Sequence, residues 1–387
     1  MKRIIFLLMT ALITNVFCED GLDIFGYFET QMMGANPSRD YYTVHSNKLR
    51  IDISSHLSER VSFAANFDYI NYFGKTSWNV LEFLPERITL VISDSLGSFF
   101  ELPFQDRNFL DNAYIKVSFP LFDLTVGKQQ VSLGTGYVWN PTDVFNIKDV
   151  LDPTYEQPGH DAIRFDLPIL DRMTLTGLVS PGDEWKNFDK MILLKSGIGH
   201  FDFTMVGIEK LWTFDDFIYF SQTVEKRKLI GGSFVGELLG MGVWGEFAKN
   251  YMEVSKDFYE AVLGFDYTFD FQLYIMVEFY RNTIGKASKD NYTLNGFMRY
   301  YLSQQKAVCR DQLYLMLNYP LTALLNVGAM SIVSITDKSI AIVPTFNYSL
   351  SDNLELMGYF NVNTGEEGTV FSKEQGTGFL IRLRYYF

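Results

Sequence analysis

The chain ends Phe379-Leu380-Ile381-Arg382-Leu383-Arg384-Tyr385-Tyr386-Phe387. In an extended strand successive side chains point to opposite faces. Phe379, Ile381, Leu383, Tyr385 and Phe387 therefore share one face, and Arg382, Arg384 and Tyr386 share the other. One such strand could cover any soluble core. The pattern recurs too often for that. Leu354, Leu356, Gly358, Phe360 and Val362 alternate with Glu355, Met357, Tyr359 and Asn361. Ile340, Ile342, Pro344, Phe346 and Tyr348 alternate with Ser339, Ala341, Thr345, Asn347 and Ser349. The same reading applies to Leu313–Tyr319, Tyr259–Tyr267, Val61–Tyr69 and Lys48–Ser54. Segments of about 10 residues with this dyad period, separated by turn residues, are what a transmembrane β-barrel requires.

Composition agrees. The chain has 387 residues, 47% hydrophobic, 20% charged and 16% aromatic, yet its mean hydropathy is +0.01. This balance excludes a disordered chain, and two cysteines exclude a disulfide scaffold. It also excludes a bundle of spanning helices, each needing about 20 predominantly apolar residues. The best candidate for a second spanning helix, Leu229 to Gly245, contains Glu237 and repeated glycines, which disfavour a helix. Two opposed faces, one apolar and one polar, average to near zero.

Residues 1–18 read as a secretory signal. Lys2 and Arg3 precede an apolar stretch from Ile4 to Ile13, and Val16 and Cys18 occupy the positions three and one before a cut. Phe17 is too bulky to precede a lipidated cysteine, so cleavage after Cys18 is the expectation, leaving 19–387 as a single barrel domain. Cys309 would then be the only thiol, and no intramolecular disulfide could form. The formal charge of -13 becomes more negative once Lys2 and Arg3 leave, and gives nucleic acid no electrostatic reason to bind.

The connections divide into two kinds, as in a barrel with short periplasmic turns and longer extracellular loops. Tight links are expected near Leu57–Glu59, Pro120–Asp123, Pro168–Asp171, Gly197–Gly199, Leu238–Gly240, Phe269–Asp270, Pro320–Thr322 and Ser351–Asn353. Between them lie 33–45, 73–110, 134–159, 181–187, 211–225, 251–255, 283–308, 336–337 and 365–375. The fold class is therefore all-β, an antiparallel up-and-down transmembrane barrel of about 18 strands, with 16 the alternative count. Lipid offers no hydrogen-bond partners, so such a sheet must close on itself. Tyr267, Tyr319, Tyr348, Tyr385 and Phe387 would form an aromatic girdle at the periplasmic interface.

The last strand, Phe379 to the terminal Phe387, resembles the C-terminal signal of Gram-negative outer-membrane proteins. That resemblance implies an outer-membrane location and recognition by the barrel-assembly machinery, with Phe387 as the key residue. The segment Leu124-Thr-Val-Gly-Lys-Gln-Gln-Val-Ser-Leu-Gly-Thr-Gly136 with Trp139-Asn-Pro-Thr-Asp-Val-Phe145 resembles a stretch of porin-like families, phosphate-selective-type and other substrate-selective porins among them. It covers little of the chain and transfers no substrate.

In a barrel of ~16–18 strands the polar face lines an aqueous channel. The expected pore-lining residues are Lys48, Arg50, Lys116, Arg164, Asp266, Glu278, Glu355, Arg382 and Arg384. Further inward cations are Lys190 and Lys228, and further inward acids are Glu29, Asp52, Asp68, Asp166, Glu246 and Glu260. Such charges select permeating ions, or they neutralise one another across strands. Arg382 and Arg384, beside Glu29 once the barrel closes, fit the second role. Loops 73–110 and 134–159 carry apolar residues that would be poorly placed in water, so inward folding is expected, with the first contributing to a constriction. A lid or a contact in a homotrimer is the alternative.

The function expected is passive diffusion of small hydrophilic solutes or ions. Other classes stay open: a barrel enzyme of lipid-hydrolase or protease type, or a non-conducting structural or adhesive barrel. His45, His56, His160 and His200 are scattered, with only His160–Asp161 adjacent. No catalytic triad, metal-ligand spacing or phosphate loop is visible, so no catalytic residue, metal or cofactor is assigned.

Overall fold

The computed structural model describes residues 21–37, 41–148 and 156–387, without the side chains of 94 and 95; the signal-sequence reading of 1–18 lies outside them. In chain order the first strands are β1 (Leu22–Asn36), β2 (Tyr42–Ser58), β3 (Val61–Gly74), β4 (Ser77–Asn79), β5 (Glu101–Pro103), β6 (Arg107–Ser118) and β7 (Asp123–Gln129). There follow β8 (His160–Leu170), β9 (Met173–Ser180), β10 (Asp189–Ile198), β11 (Phe201–Asp216), β12 (Ser221–Leu238), β13 (Met241–Met252) and β14 (Phe258–Thr268). The last are β15 (Tyr274–Asn282), β16 (Asp311–Pro320), β17 (Leu325–Ser334), β18 (Ile340–Ser351), β19 (Leu354–Asn363) and β20 (Thr377–Tyr386). The short pair β4–β5 is a hairpin inside a loop; the rest form one antiparallel 18-stranded sheet.

That sheet closes. β1 pairs with β20 in the register Tyr27↔Tyr386, Glu29↔Arg384, Gln31↔Arg382, and Gly26 exchanges backbone hydrogen bonds with Phe387, each 3.1 Å. Closure leaves no sheet edge, which is the condition for a β structure in lipid. The expected turns hold. Leu239 and Gly240, for example, have positive φ of 54° and 77°, the mirror-image turn whose twist matches a hairpin. Several expected loops are shorter than read: β1 runs to Asn36 and β2 begins at Tyr42, which trims 33–45 at both ends, and 211–225 shrinks most. β11 and β12 continue to Asp216↔Ser221, so only 217–220 remain of 211–225, because the ladder runs on past the apolar band.

Alternation sets the faces. Ile381, Leu263, Phe360 and Ile342 are exposed on the outside, while Leu380, Arg382, Val262, Ala341 and Val343 are buried inside. Tyr267, Tyr319, Tyr348, Tyr385 and Phe387 are exposed at the short-turn end. Cys309 is a free, buried thiol, and among the described residues no helix is long and apolar enough to cross a membrane.

Candidate functional site

After β7 the chain turns into the barrel. Val131 and Leu133 pack on Ala162, Leu178, Met191, Val206, Ile208 and Leu229, inward residues of the neighbouring strands. Gly134 adopts φ +85°, and a Cβ there would sit 2.5 Å from a Glu246 oxygen; at Gly136 it would meet the Trp139 carbonyl at 1.9 Å. Glycine is needed where the backbone comes this close. The reward is direct contact between backbone N–H groups and strand carboxylates. Glu246 accepts from the N–H of Thr135 at 2.8 Å, Gly136 at 3.3 Å and Thr142 at 2.5 Å, and from the Thr142 hydroxyl at 2.7 Å. Glu278 accepts from the N–H of Tyr137 at 2.6 Å, Val138 at 3.0 Å and Trp139 at 3.0 Å, and from Trp244 Nε1 at 2.7 Å.

A buried carboxylate is costly unless its lone pairs are filled by donors, and charge-assisted bonds are the stronger kind. Both conditions are met here. Trp139 also stacks on Tyr280 with ring centroids 4.9 Å apart, and Lys306 donates to the Asn140 carbonyl at 2.5 Å. Asp143 caps the local turn by accepting from Phe145 and Asn146 N–H, each 3.0 Å. Burial pushes its carboxyl above the usual range. His160 Nε2 contacts Asn146 Oδ1 at 3.1 Å, a place in the loop's support and not at an open rim.

A second filling comes from the outer loops. Val80, Leu84, Ile88 and Phe100 of loop 75–106 share a core with Leu294, Phe297 and Met298, and with Val370 and Phe371. The inner wall beneath them supplies Tyr314, Met330, Ile332, Ala341 and Val343. The helix Leu294–Tyr301 starts at Thr293, whose hydroxyl accepts from Gly296 N–H at 3.2 Å. Tyr301 then donates to the Phe83 carbonyl at 3.2 Å. Loop 75–106 is thus packed against the wall in the sense expected.

The sector from β20 through β1–β3 to β6–β8 stays polar. Two cavities open on it, of about 420 Å³ beside Lys48, Asp68, Arg107, Asp111, Arg382 and Arg384, and about 350 Å³ beside Arg50, Asn112, Lys116, Gln129, Arg164 and Asp166. A bulge places Asp111 between Leu110 and Asn112, opposite Phe67 and Asn66, so both Asp111 and Asn112 are buried inward. Arg50 bonds Asp52 at 2.8 Å and Asp111 at 3.3 Å, and Lys48 pairs with Asp68 at 3.4 Å. From the loop, Glu156 reaches Lys48 at 2.5 Å, Arg50 at 3.1 Å and the Tyr27 hydroxyl at 2.5 Å. Burial alone would raise the Glu156 carboxyl, but Lys48, Tyr27 and Arg50 outweigh it and hold it below the usual range.

The expected pore residues therefore separate. Lys48, Arg50, Lys116, Arg164, Arg382 and Arg384 border the cavities. Lys116 pairs with Asp123 at 2.8 Å and Arg164 with Asp166 at 2.8 Å. Arg384 bonds Glu29 at 2.6 Å, and Arg382 bonds Gln31 at 2.7 Å with Glu29 at 3.4 Å. Those two arginines pin the closing seam. Asp266 accepts from the Tyr274 hydroxyl at 2.8 Å, and Glu355 from the Tyr386 hydroxyl at 3.2 Å, away from either cavity. Glu278 needs correction. It points inward as read but is fully buried, because the loop lies over it and uses its oxygens. Tyr27, Asp111 and Glu156 were not anticipated; the bulge and the loop path that bring the last two inward leave no periodic signal.

Among solved structures the fold is similar to Acinetobacter baumannii OccAB4, with a TM-score of 0.59 at 8% identity over 96% of this chain and all of that one. The fold is that of a porin-like barrel. A mutant of Rhodopseudomonas blastica porin aligns over 95% of this chain and all of its own at 12% identity, TM-score 0.49. A loop-deleted OmpT, an outer-membrane protein of Vibrio cholerae, does so at 10% identity, TM-score 0.46. No family model and no curated protein matches the chain.

Proposed function

We propose that this porin-like barrel is an outer-membrane channel through which small hydrophilic solutes or ions diffuse passively, without catalysis. The observation that carries this reading is the space left in the lumen beside charged side chains. Loops cover much of the apolar inner wall yet leave cavities of about 580 and 270 Å³ beside Trp139, Arg227, Glu260 and Lys306, and the charged sector from β20 to β8 keeps cavities of about 420 and 350 Å³. A wall meant only to be packed would not hold so many ionised groups beside unfilled space, since burying charge is costly.

In this reading the chain is exported through a signal peptide cleaved after Cys18, and Phe387 is the residue presented to the barrel-assembly machinery. Lipid meets the exposed outer face, and a homotrimer is the assembly that the resemblance to porins suggests. Purified protein added to a planar bilayer should give stepwise ionic current. A folded, heat-modifiable barrel that never conducts would overturn the channel and leave the fold intact. Deleting Phe387 should lower the folded yield in the outer membrane severalfold, and equal yields would remove its assembly role.

A further inference from the structure

We propose that the outer face of β10–β13 holds the phosphorylated headgroup of an outer-leaflet lipid on Lys190, Lys226, Lys228 and Lys249. The proposal rests on the outer-membrane location in the proposed function and not on conduction. Met191, Ile208 and Leu229 are buried inside the barrel. Their chain neighbours Lys190, Glu209 and Lys228 therefore point to the lipid side. For Lys190 and Lys228 this reverses the sequence reading, because in Lys226-Arg227-Lys228 cations occupy both faces and only the ladder fixes which is inside. The outward residues line up in rows across the four strands. Leu211 and Lys226 share one row, and Lys190, Glu209, Lys228 and Tyr251 form the next toward the short turns. Ile192, Gly207, Ile230 and Lys249 follow, then Leu194, Met205, Gly232 and Phe247.

Glu209 is the acid among them, and it is shared. Its carboxylate lies 3.6 Å from Lys190, 3.7 Å from Lys226 and 3.7 Å from Lys228. Each distance exceeds the ~2.7–2.9 Å of a charge-assisted hydrogen bond, so one carboxylate is spread over three ammonium groups and engages none of them closely. Lys249 lies 5.6 Å from the Tyr251 ring and Lys190 4.9 Å from the Trp185 ring. At the edge of the face Glu253 accepts from the Lys226 N–H at 3.1 Å, and Glu184 is paired with Lys186 at 2.8 Å. Four lysines against Glu209 and Glu253 leave this face positive, on a chain whose formal charge is -13.

Depth identifies the partner. Lys228 stands about 10 positions from the tight turn at Leu238–Gly240, the length of strand that crosses the apolar core of a bilayer. Charge facing lipid is costly at the midplane and tolerated at the headgroup level. Trp185 and Tyr251 are exposed beside the lysines, as aromatic residues are at a membrane interface. Ile192, Met205, Ile230 and Phe247 are exposed beneath them, and Gly207 and Gly232 indent that apolar surface where an acyl chain can lie. Cations above and hydrocarbon below match the order in which a membrane lipid presents its phosphate and its chains, and basic clusters at a membrane surface attract anionic headgroups. A soluble anion would have no use for the apolar rows.

The test adds lipid A carrying both phosphates, or its dephosphorylated form, to the detergent-solubilised full chain and reads bound lipid by native mass spectrometry. The native chain should hold the phosphorylated form about tenfold more tightly than the other. The triple variant K190Q/K226Q/K228Q should lose that preference with the barrel still heat-modifiable, and E209Q should strengthen it severalfold. K228Q alone, at a side chain 64% exposed, should lose part of it. Equal binding of the two lipids to the native chain, or an unchanged preference in the lysine variants, would overturn the proposal. So would inorganic phosphate displacing the lipid at equal concentration, since the acyl contacts would then count for nothing. A barrel that holds the phosphorylated lipid and carries no current would refute the channel and not this surface.

Discussion

The two halves of the inner wall solve opposite problems. From β20 through β1 to β8, inward side chains are ionised and paired, as in Glu29–Arg384, Arg50–Asp52 and Arg164–Asp166, and cavities remain in front of them. From β9 to β19 the inner wall carries a large apolar surface, with Leu178, Leu229, Met276, Ile332 and Val343 all buried, and loops lie on top with cavities left beneath them. Two carboxylates in that half, Glu246 and Glu278, serve those loops, while Glu260 bonds Arg227 and Tyr280 of the wall. The lesson is that an inward position of a barrel is not by itself a lumen position. Its chemistry reports what faces it, open cavity or an inturned loop.

The comparison can be broken most forcefully at Glu278. Glu278→Ala strands four donors, three loop N–H groups and Trp244 Nε1. An unsatisfied buried donor costs ~1–3 kcal/mol, so the loop should leave the wall. Single-channel current should then rise severalfold. Current equal to that of the native protein would mean the loop does not limit passage.

Gly136→Ala should act in the same direction and less strongly, because the new Cβ collides with the Trp139 carbonyl and overpacking costs ~1–3 kcal/mol. Its measure is proteolytic cutting within 134–148, expected to appear where the native loop resists. Val343→Asn probes the covered wall: a fully buried amide without a partner costs roughly 1–3 kcal/mol. The temperature at which the barrel loses its compact gel mobility should fall, and an unchanged temperature would show that the outer loops do not seal that wall.

The smallest effect belongs to the open half. Lys116 and Asp123 are 41% and 33% exposed, a pair of the kind worth about 0–1 kcal/mol. Lys116→Met should leave stability alone and move the reversal potential slightly toward cations at low salt, with the shift shrinking as salt screens it. A large loss of stability would place this pair with the covered half instead.

Much of the barrel was readable because its signals are local. Alternation within Phe379–Phe387 needs only the period of a strand, and links such as Leu238–Gly240 need only turn chemistry. The apolar inner wall also left a trace: Ile340-Ala-Ile-Val343 is apolar on both faces, which a strand between lipid and water would not be. Glu278 was legible as an inward acid, and its partner was not. Tyr137–Trp139 lie about 140 residues away, and no periodicity links a loop to the strand it covers.

The sequence by itself determined the strand period, the two classes of connection, the outward aromatic ends and the seam between Arg384 and Glu29. Each follows from neighbours in the chain or from the closure that lipid demands. Tertiary structure alone decided which half of the wall is covered, that Glu278 holds backbone instead of meeting solute, and that Glu156 sits on Lys48 and Arg50. Those outcomes depend on where long loops come to rest, and that is settled by packing and by the need to satisfy buried charge across the lumen.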